Sequence, residues 1–212
     1  MCKLRNSDSK ELILEAIRMA WPAVLESFFV ALAGMIDTMM VSTLGTYAVA
    51  AVGLTTQPKF IALALFLSSN IAVNALAARR FGQKNRENAN KILYTAIVFV
   101  IISAVIISTV TFIGADQIIK WCGSNADTHE AGVTYFRVIQ AGMIFNVLSL
   151  VINAAQRGCG NTQIAMTTNV TSSIVNIVFN YLLIGGNFGF PRLGMFGASL
   201  ATVLGTVVAC IM

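Results

Sequence analysis

Residues 92–113 run from Ile92 to Ile113 without one charged side chain. As an α-helix such a run is about 33 Å long, which matches the roughly 30 Å hydrocarbon core of a bilayer. Lipid offers no hydrogen-bond partners, so a spanning segment must satisfy its own backbone, and only a helix or a closed barrel does so. Five more apolar runs of similar length lie at about 16–44, 60–78, 133–155, 164–185 and 193–212. Their order predicts an all-α, polytopic membrane protein, a bundle of six transmembrane helices preceded by a charged lead-in over residues 1–15. Apolar residues make up 57% of the chain and charged ones 11%, a balance that excludes an ordinary soluble domain.

The segments between the runs read as connections. These are 45–59, the polar block 79–91, the solvated stretch 114–132, the turn 156–163 and a Gly/Pro-punctuated turn before Arg192. Pro22 falls in the first turns of span one, where a missing N–H is tolerated. Orientation follows from the 14 Lys and Arg residues. Ten lie at the N-terminus (Arg18 included), in 79–91 and in 156–163. The other side holds Lys59, Lys120, Arg137 and Arg192. The excess places the N-terminus in the cytoplasm of a plasma (inner) membrane protein. The net charge of +5 is thereby a matter of topology, and no nucleic-acid partner is expected.

Span one carries two acids, Glu26 and Asp37, eleven residues apart. That is close to three helical turns, so both project from one face. An acid at membrane depth is costly unless it meets a partner or a water-filled cavity, which marks it as functional. Span five offers a polar stripe, Asn169, Asn176 and Asn180 at i, i+7 and i+11, with Ser172 and Ser173 beside it. Span two adds Asn70 and Asn74, and span four adds Asn146 and Asn153. Glu26, Asn70, Asn74, Asn146 and Asn153 are candidates for lining a common substrate cavity. For each amide the competing role is interhelical glue, and for Glu26, nearer the cytoplasmic end, pairing with a basic side chain or snorkelling. Four scattered cysteines and one histidine give no metal or redox spacing. No phosphate loop, zinc-protease motif or Ser–His pair gives enzyme chemistry a foothold, and no cofactor is expected.

Several segments resemble one known family. Asp37-Thr38-Met39-Met40-Val41-Ser42-Thr43-Leu44-Gly45 and Ala50-Ala51-Val52-Gly53 are similar to the first-helix signature of the MATE (multidrug and toxic compound extrusion) transporters, with Ser42 where Gly is common. Arg79-Arg80-Phe81-Gly82-Gln83 and Arg157-Gly158-Cys159-Gly160-Asn161-Thr162 resemble its cytoplasmic links. Asn176 and Asn180 fall on its fifth-helix Asn-xxx-Asp/Asn element, and Gly194 to Thr202 looks like the start of its sixth helix, with Ser199 for a usual Ala. The resemblance implies one six-helix lobe of a twelve-helix antiporter that moves drug-like, often cationic, compounds out in exchange for Na⁺ or H⁺. Carried over, the coupling site is Asp37, Asn176, Asn180 and Thr202, with Na⁺ possible at Asp37, Asn176 and Asn180. Asn180 stands where many relatives have a second acid.

On this reading the chain stops before a second lobe, and its partners are drug-like substrates, the lipid bilayer and the missing carboxyl-terminal lobe or a second copy. Two other readings compete. A lipid or polysaccharide flippase of the related superfamily requires a cavity lined with basic residues, whereas the spans here offer acids. A non-transporting structural membrane subunit requires that Asp37 be dispensable for ion binding.

Overall fold

A computed structural model of the chain describes residues 6–83 and 86–212, and every regular element among them is helical. The helices are α1 (Asn6–Ser42), α2 (Thr46–Gly82), α3 (Arg86–Ile113), α4 (Ala115–Trp121), α5 (Ala126–Ala141), α6 (Met143–Gly158), α7 (Thr162–Gly185) and α8 (Gly194–Ile211). A single 3-10 turn at Asn187–Gly189 precedes α8. Residues 1–5 of the expected lead-in, and Lys84 and Asn85 of the polar link, lie outside the described residues.

Several connections expected from hydropathy are helical. Residues 46–59 are the first turns of α2, and Asn6 to Glu15 belong to α1. Pro22 therefore sits deep inside a 37-residue helix rather than in its opening turns, and Pro58 is inside α2. Hydropathy locates where a helix enters lipid, not where its hydrogen bonds stop. The 114–132 stretch is likewise no open loop but α4 and the start of α5. Among the described residues four helices are long and apolar enough to cross a bilayer, and five if α5 and α6 count as one bent span. The 24-residue α7 is long enough, but its asparagines keep it out of that set.

Span four, expected to be continuous, is broken. Helices α5 and α6 meet at Gly142 with a bend of 50°. A bend frees backbone carbonyls that lipid cannot satisfy, so neighbouring side chains must do so. Ser108 of α3 donates its hydroxyl to the Gln140 carbonyl at 2.5 Å. The Gln140 side chain, almost fully buried, donates to Thr111 Oγ1 at 2.5 Å. On the other side a Cβ at Gly142 would stand 2.4 Å from Val203 Cγ2. Only glycine lets α8 seat against the bend.

Two apolar clusters hold the bundle together. One joins α2, α3 and α6 through Phe66, Val100, Val147 and Val151. The other joins α1, α2, α5, α7 and α8 through Val41, Ala48, Tyr135, Ile184 and Ala198. The periphery is apolar too: Ile61 is 77% exposed and Ile113 74%, as expected where the solvent is lipid. In the first turn of α4 the half-exposed Asp116 accepts from Lys120 Nζ at 2.7 Å and shares 2.9 Å with His129 Nε2. The Lys120 ammonium first, and His129 second, hold its carboxyl below the ordinary 3.8.

Two outcomes follow. A Cβ at Gly205 would stand 2.8 Å from the Ser172 carbonyl oxygen, a backbone atom that cannot swing aside. Gly205→Ala is expected to cost about 1–3 kcal/mol by forcing α7 and α8 apart. Gly53→Ala, with nothing within 4 Å, is expected to be neutral or stabilising by up to ~1 kcal/mol; thermal unfolding in detergent compares them. The depressed Asp116 carboxyl stabilises the α4–α5 corner above its unfolded-state range and loses that effect as pH falls below about 4. Hydrogen-exchange protection of α4 should decline over that window, and Asp116→Asn should remove the dependence.

Candidate functional site

Helices α1 and α7 run in the same direction and pack along each other. The amide of Asn169 donates to Glu26 Oε1 at 2.6 Å, and the amide of Asn180 donates to Asp37 Oδ1. Both pairs are 143 residues apart in sequence. The eleven-residue spacing of the acids on α1 is thus matched by the spacing of the asparagines on α7, and two polar rungs about 16 Å apart connect the helices. The stripe on span five and the acid face of span one are two halves of one contact.

The rungs differ in chemistry. At the first, Arg157 Nη2 of α6 also donates to Glu26 Oε1, so the acid is paired and bonded while only 9% exposed. Asn153 extends this cluster, donating to Asn169 Oδ1 at 3.4 Å and reaching Ser149 Oγ at 3.5 Å. Glu26 and Asn153 therefore enter a closed, ion-paired knot. Asn70, Asn74 and Asn146 are half-buried, and neither rung recruits them. Of the five, the hydrogen bonds among the described residues bring together Glu26 and Asn153, through Asn169.

At the second rung, three helices converge. Asn180 of α7 is fully buried, and its amide nitrogen donates both to Asp37 and, at 3.3 Å, to Asn176 Oδ1. Asn176 donates to Thr202 Oγ1 of α8 at 3.2 Å, and Thr202 donates to its own helix at the Ala198 carbonyl, 3.1 Å away. Asp37, Asn176, Asn180 and Thr202 are therefore gathered in one continuous network. The carbonyl oxygen Asn180 Oδ1 is buried and accepts no hydrogen bond. A buried acceptor without a donor is costly, and an oxygen of that kind beside a carboxylate suits a hard cation, which takes oxygen ligands.

Asp37, Asn176 and Thr202 open on a cavity of about 220 Å³ that also reaches Lys59 and Tyr135. Lys59 had been assigned to an outer link. It lies instead well inside α2, just after Pro58, and it is a basic group in a site for which sequence indicated only acids. The signal available was the absence of Pro, Asn, Asp or Ser between Tyr47 and Gln57, with Gly53 the one turn former there, which leaves the helix free to start before Lys59.

The chain as a whole is similar to known proteins. A family model described as MatE matches residues 22–182. The chain is similar to a probable multidrug resistance protein NorM of Thermotoga maritima, 26% identical over 97% of this chain and 44% of that protein. It is similar to a FAD transporter of Shewanella oneidensis, 28% identical over 82% of this chain and 38% of that one. A solved structure described as the outward-facing conformation of a multidrug resistance MATE family transporter of the MOP superfamily superposes with a TM-score of 0.85 at 28% identity. It covers 93% of this chain and 43% of that one. The chain spans less than half the length of these relatives.

The ion-paired rung yields a stability test. Arg157→Met leaves Glu26 buried and uncompensated and is expected to cost about 3–5 kcal/mol. Adding Glu26→Gln should recover most of that loss, since a neutral amide replaces the stranded charge. Unfolding midpoints of the two single variants and the double variant measure the coupling.

Proposed function

We propose, from the premise that the chain belongs to the MatE family, that it is one six-helix lobe of a multi-pass membrane exporter. The lobe works with a second one of similar build to move drug-like organic compounds outward in exchange for Na⁺ or H⁺. Asp37, Asn176, Asn180 and Thr202 form its coupling site. The observation that carries the reading is the buried, donorless Asn180 Oδ1 beside the Asp37 carboxylate.

In the present orientation the Asn180 amide nitrogen faces Asp37. Exchange of its two ends turns a second oxygen onto a cation held by the carboxylate, with Asn176 Oδ1 and Thr202 Oγ1 completing an all-oxygen set. A proton on Asp37 does the equivalent work without added ligands. Either event removes one negative charge from the contact between α1 and α7. It thereby favours one arrangement of these helices over another, which is what coupled transport requires. The N-terminus is cytoplasmic on this reading, and the Glu26–Arg157 rung lies toward that side.

The relatives named for multidrug resistance support export of organic compounds, and one relative, of Shewanella oneidensis, is named for FAD. A flippase needs a cavity lined by basic groups, and here a single lysine is matched by an acid.

The reading is tested by ²²Na⁺ binding and proton uptake in proteoliposomes across neutral pH, wild type against Asp37→Asn. Loss of saturable binding, or of Asp37-dependent proton uptake, by about tenfold or more is expected. Unchanged binding in the variant would return the protein to the class of structural membrane subunits.

A further inference from the structure

We infer that Lys59 is a tethered cation that competes with the coupling ion for Asp37. The inference rests on the reading of Asp37 as a coupling site and adds what sets its affinity. Lys59 and Asp37 line the same cavity of about 220 Å³, and Asp37 is the only acid among the groups that line it. The two are not in contact as an ion pair among the described residues, where the salt bridges join other partners. Sharing one cavity, unlike charges attract without contact. An ammonium at this depth needs a counter-charge. Glu26 is three helical turns away and already committed to Arg157. The remaining groups facing the cavity are neutral: Tyr135 from α5, Asn176 with Ser172 and Ser173 from α7, and Thr202 with Thr206 from α8.

The cavity is therefore charge-balanced, not negative. A lysine on a four-carbon stem is free to approach or leave the carboxylate. When Asp37 holds Na⁺ or a proton, the cavity carries the unbalanced ammonium and repels any organic cation. When Asp37 releases its cation, Lys59 neutralises the carboxylate and prevents it from holding the next one too tightly. Lys59 thus makes release easier and renders bound coupling ion and cationic cargo mutually exclusive within the cavity. It is a positioning charge and binds neither directly.

The test compares Na⁺ affinity of the full chain in proteoliposomes for wild type, Lys59→Gln, Lys59→Met and Lys59→Arg, each also in an Asp37→Asn background. A unit charge within about 10 Å at an effective dielectric of ~20 alters cation affinity roughly tenfold or more. Lys59→Gln and Lys59→Met are expected to bind Na⁺ at least about tenfold more tightly than wild type, with Lys59→Arg close to wild type and no binding in any Asp37→Asn background. The same ordering is expected for proton uptake. Asp37-dependent binding that is equally tight with and without the charge at residue 59 overturns the role of Lys59 and leaves Asp37 as the site. Binding that persists in the Asp37→Asn background overturns the site itself. The arginine variant separates charge from packing, because a merely structural lysine would not be replaced by a bulkier cation with retention of wild-type affinity.

Discussion

A bilayer supplies no hydrogen bonds, and every polar group that this chain carries into it must be answered from within. That constraint explains features that would otherwise look unrelated. The broken span at Gly142 is tolerable because Ser108 supplies a hydroxyl to the Gln140 carbonyl and Thr111 accepts from the Gln140 side chain. The acids of α1 are tolerable because α7 presents amides in matching register. The polar face of α7 in turn accounts for its absence from the helices apolar enough to span lipid unaided. Its insertion depends on α1 and α8 covering that face.

The two rungs between α1 and α7 divide the labour of the contact. Glu26, Asn169 and Arg157 form a knot in which opposite charges already meet, so its state changes little when ions come and go. Among the described residues Asp37 has an amide donor and no ion-pair partner, and a cavity gives it access to other groups. One end of the helix pair is anchored and the other can change charge. A change of one unit at Asp37 therefore acts with the Glu26 knot as a fixed point about 16 Å away along the pair.

Much of this was legible in the residues. The uncharged run at 92–113, the eleven-residue spacing of Glu26 and Asp37, and the i, i+7, i+11 asparagines predicted helices and faces, while the grouping of Asp37, Asn176, Asn180 and Thr202 is implied by the family resemblance. What spacing on one helix does not reveal is which neighbour it meets. Glu26 and Asn153 are cavity candidates by spacing; in the fold Glu26 meets Arg157 of α6, 131 residues away, and Asn153 bonds Asn169 of α7. Lys59 was placed in a loop because hydropathy averages over a window, while the helix that holds it begins at Thr46. Pro22 and the 114–132 stretch were misplaced for the same reason: polarity marks the water boundary, and helices cross that boundary without ending.

The position of Lys59 changes how the substituted acid site is to be understood. The resemblance implies a second acid at the position of Asn180 in many relatives, and on that reading the amide alone makes the site less negative by one unit. Lys59 makes it less negative by a further unit, so the cavity is balanced before any ion binds. A carboxylate in a dry cavity with no counter-charge would attract cations strongly and release them slowly. With an amide and a lysine in place of further acids, attraction and release are closer in free energy. On the proposed reading, that is the condition under which a bound ion and a cargo exchange in both directions of a cycle.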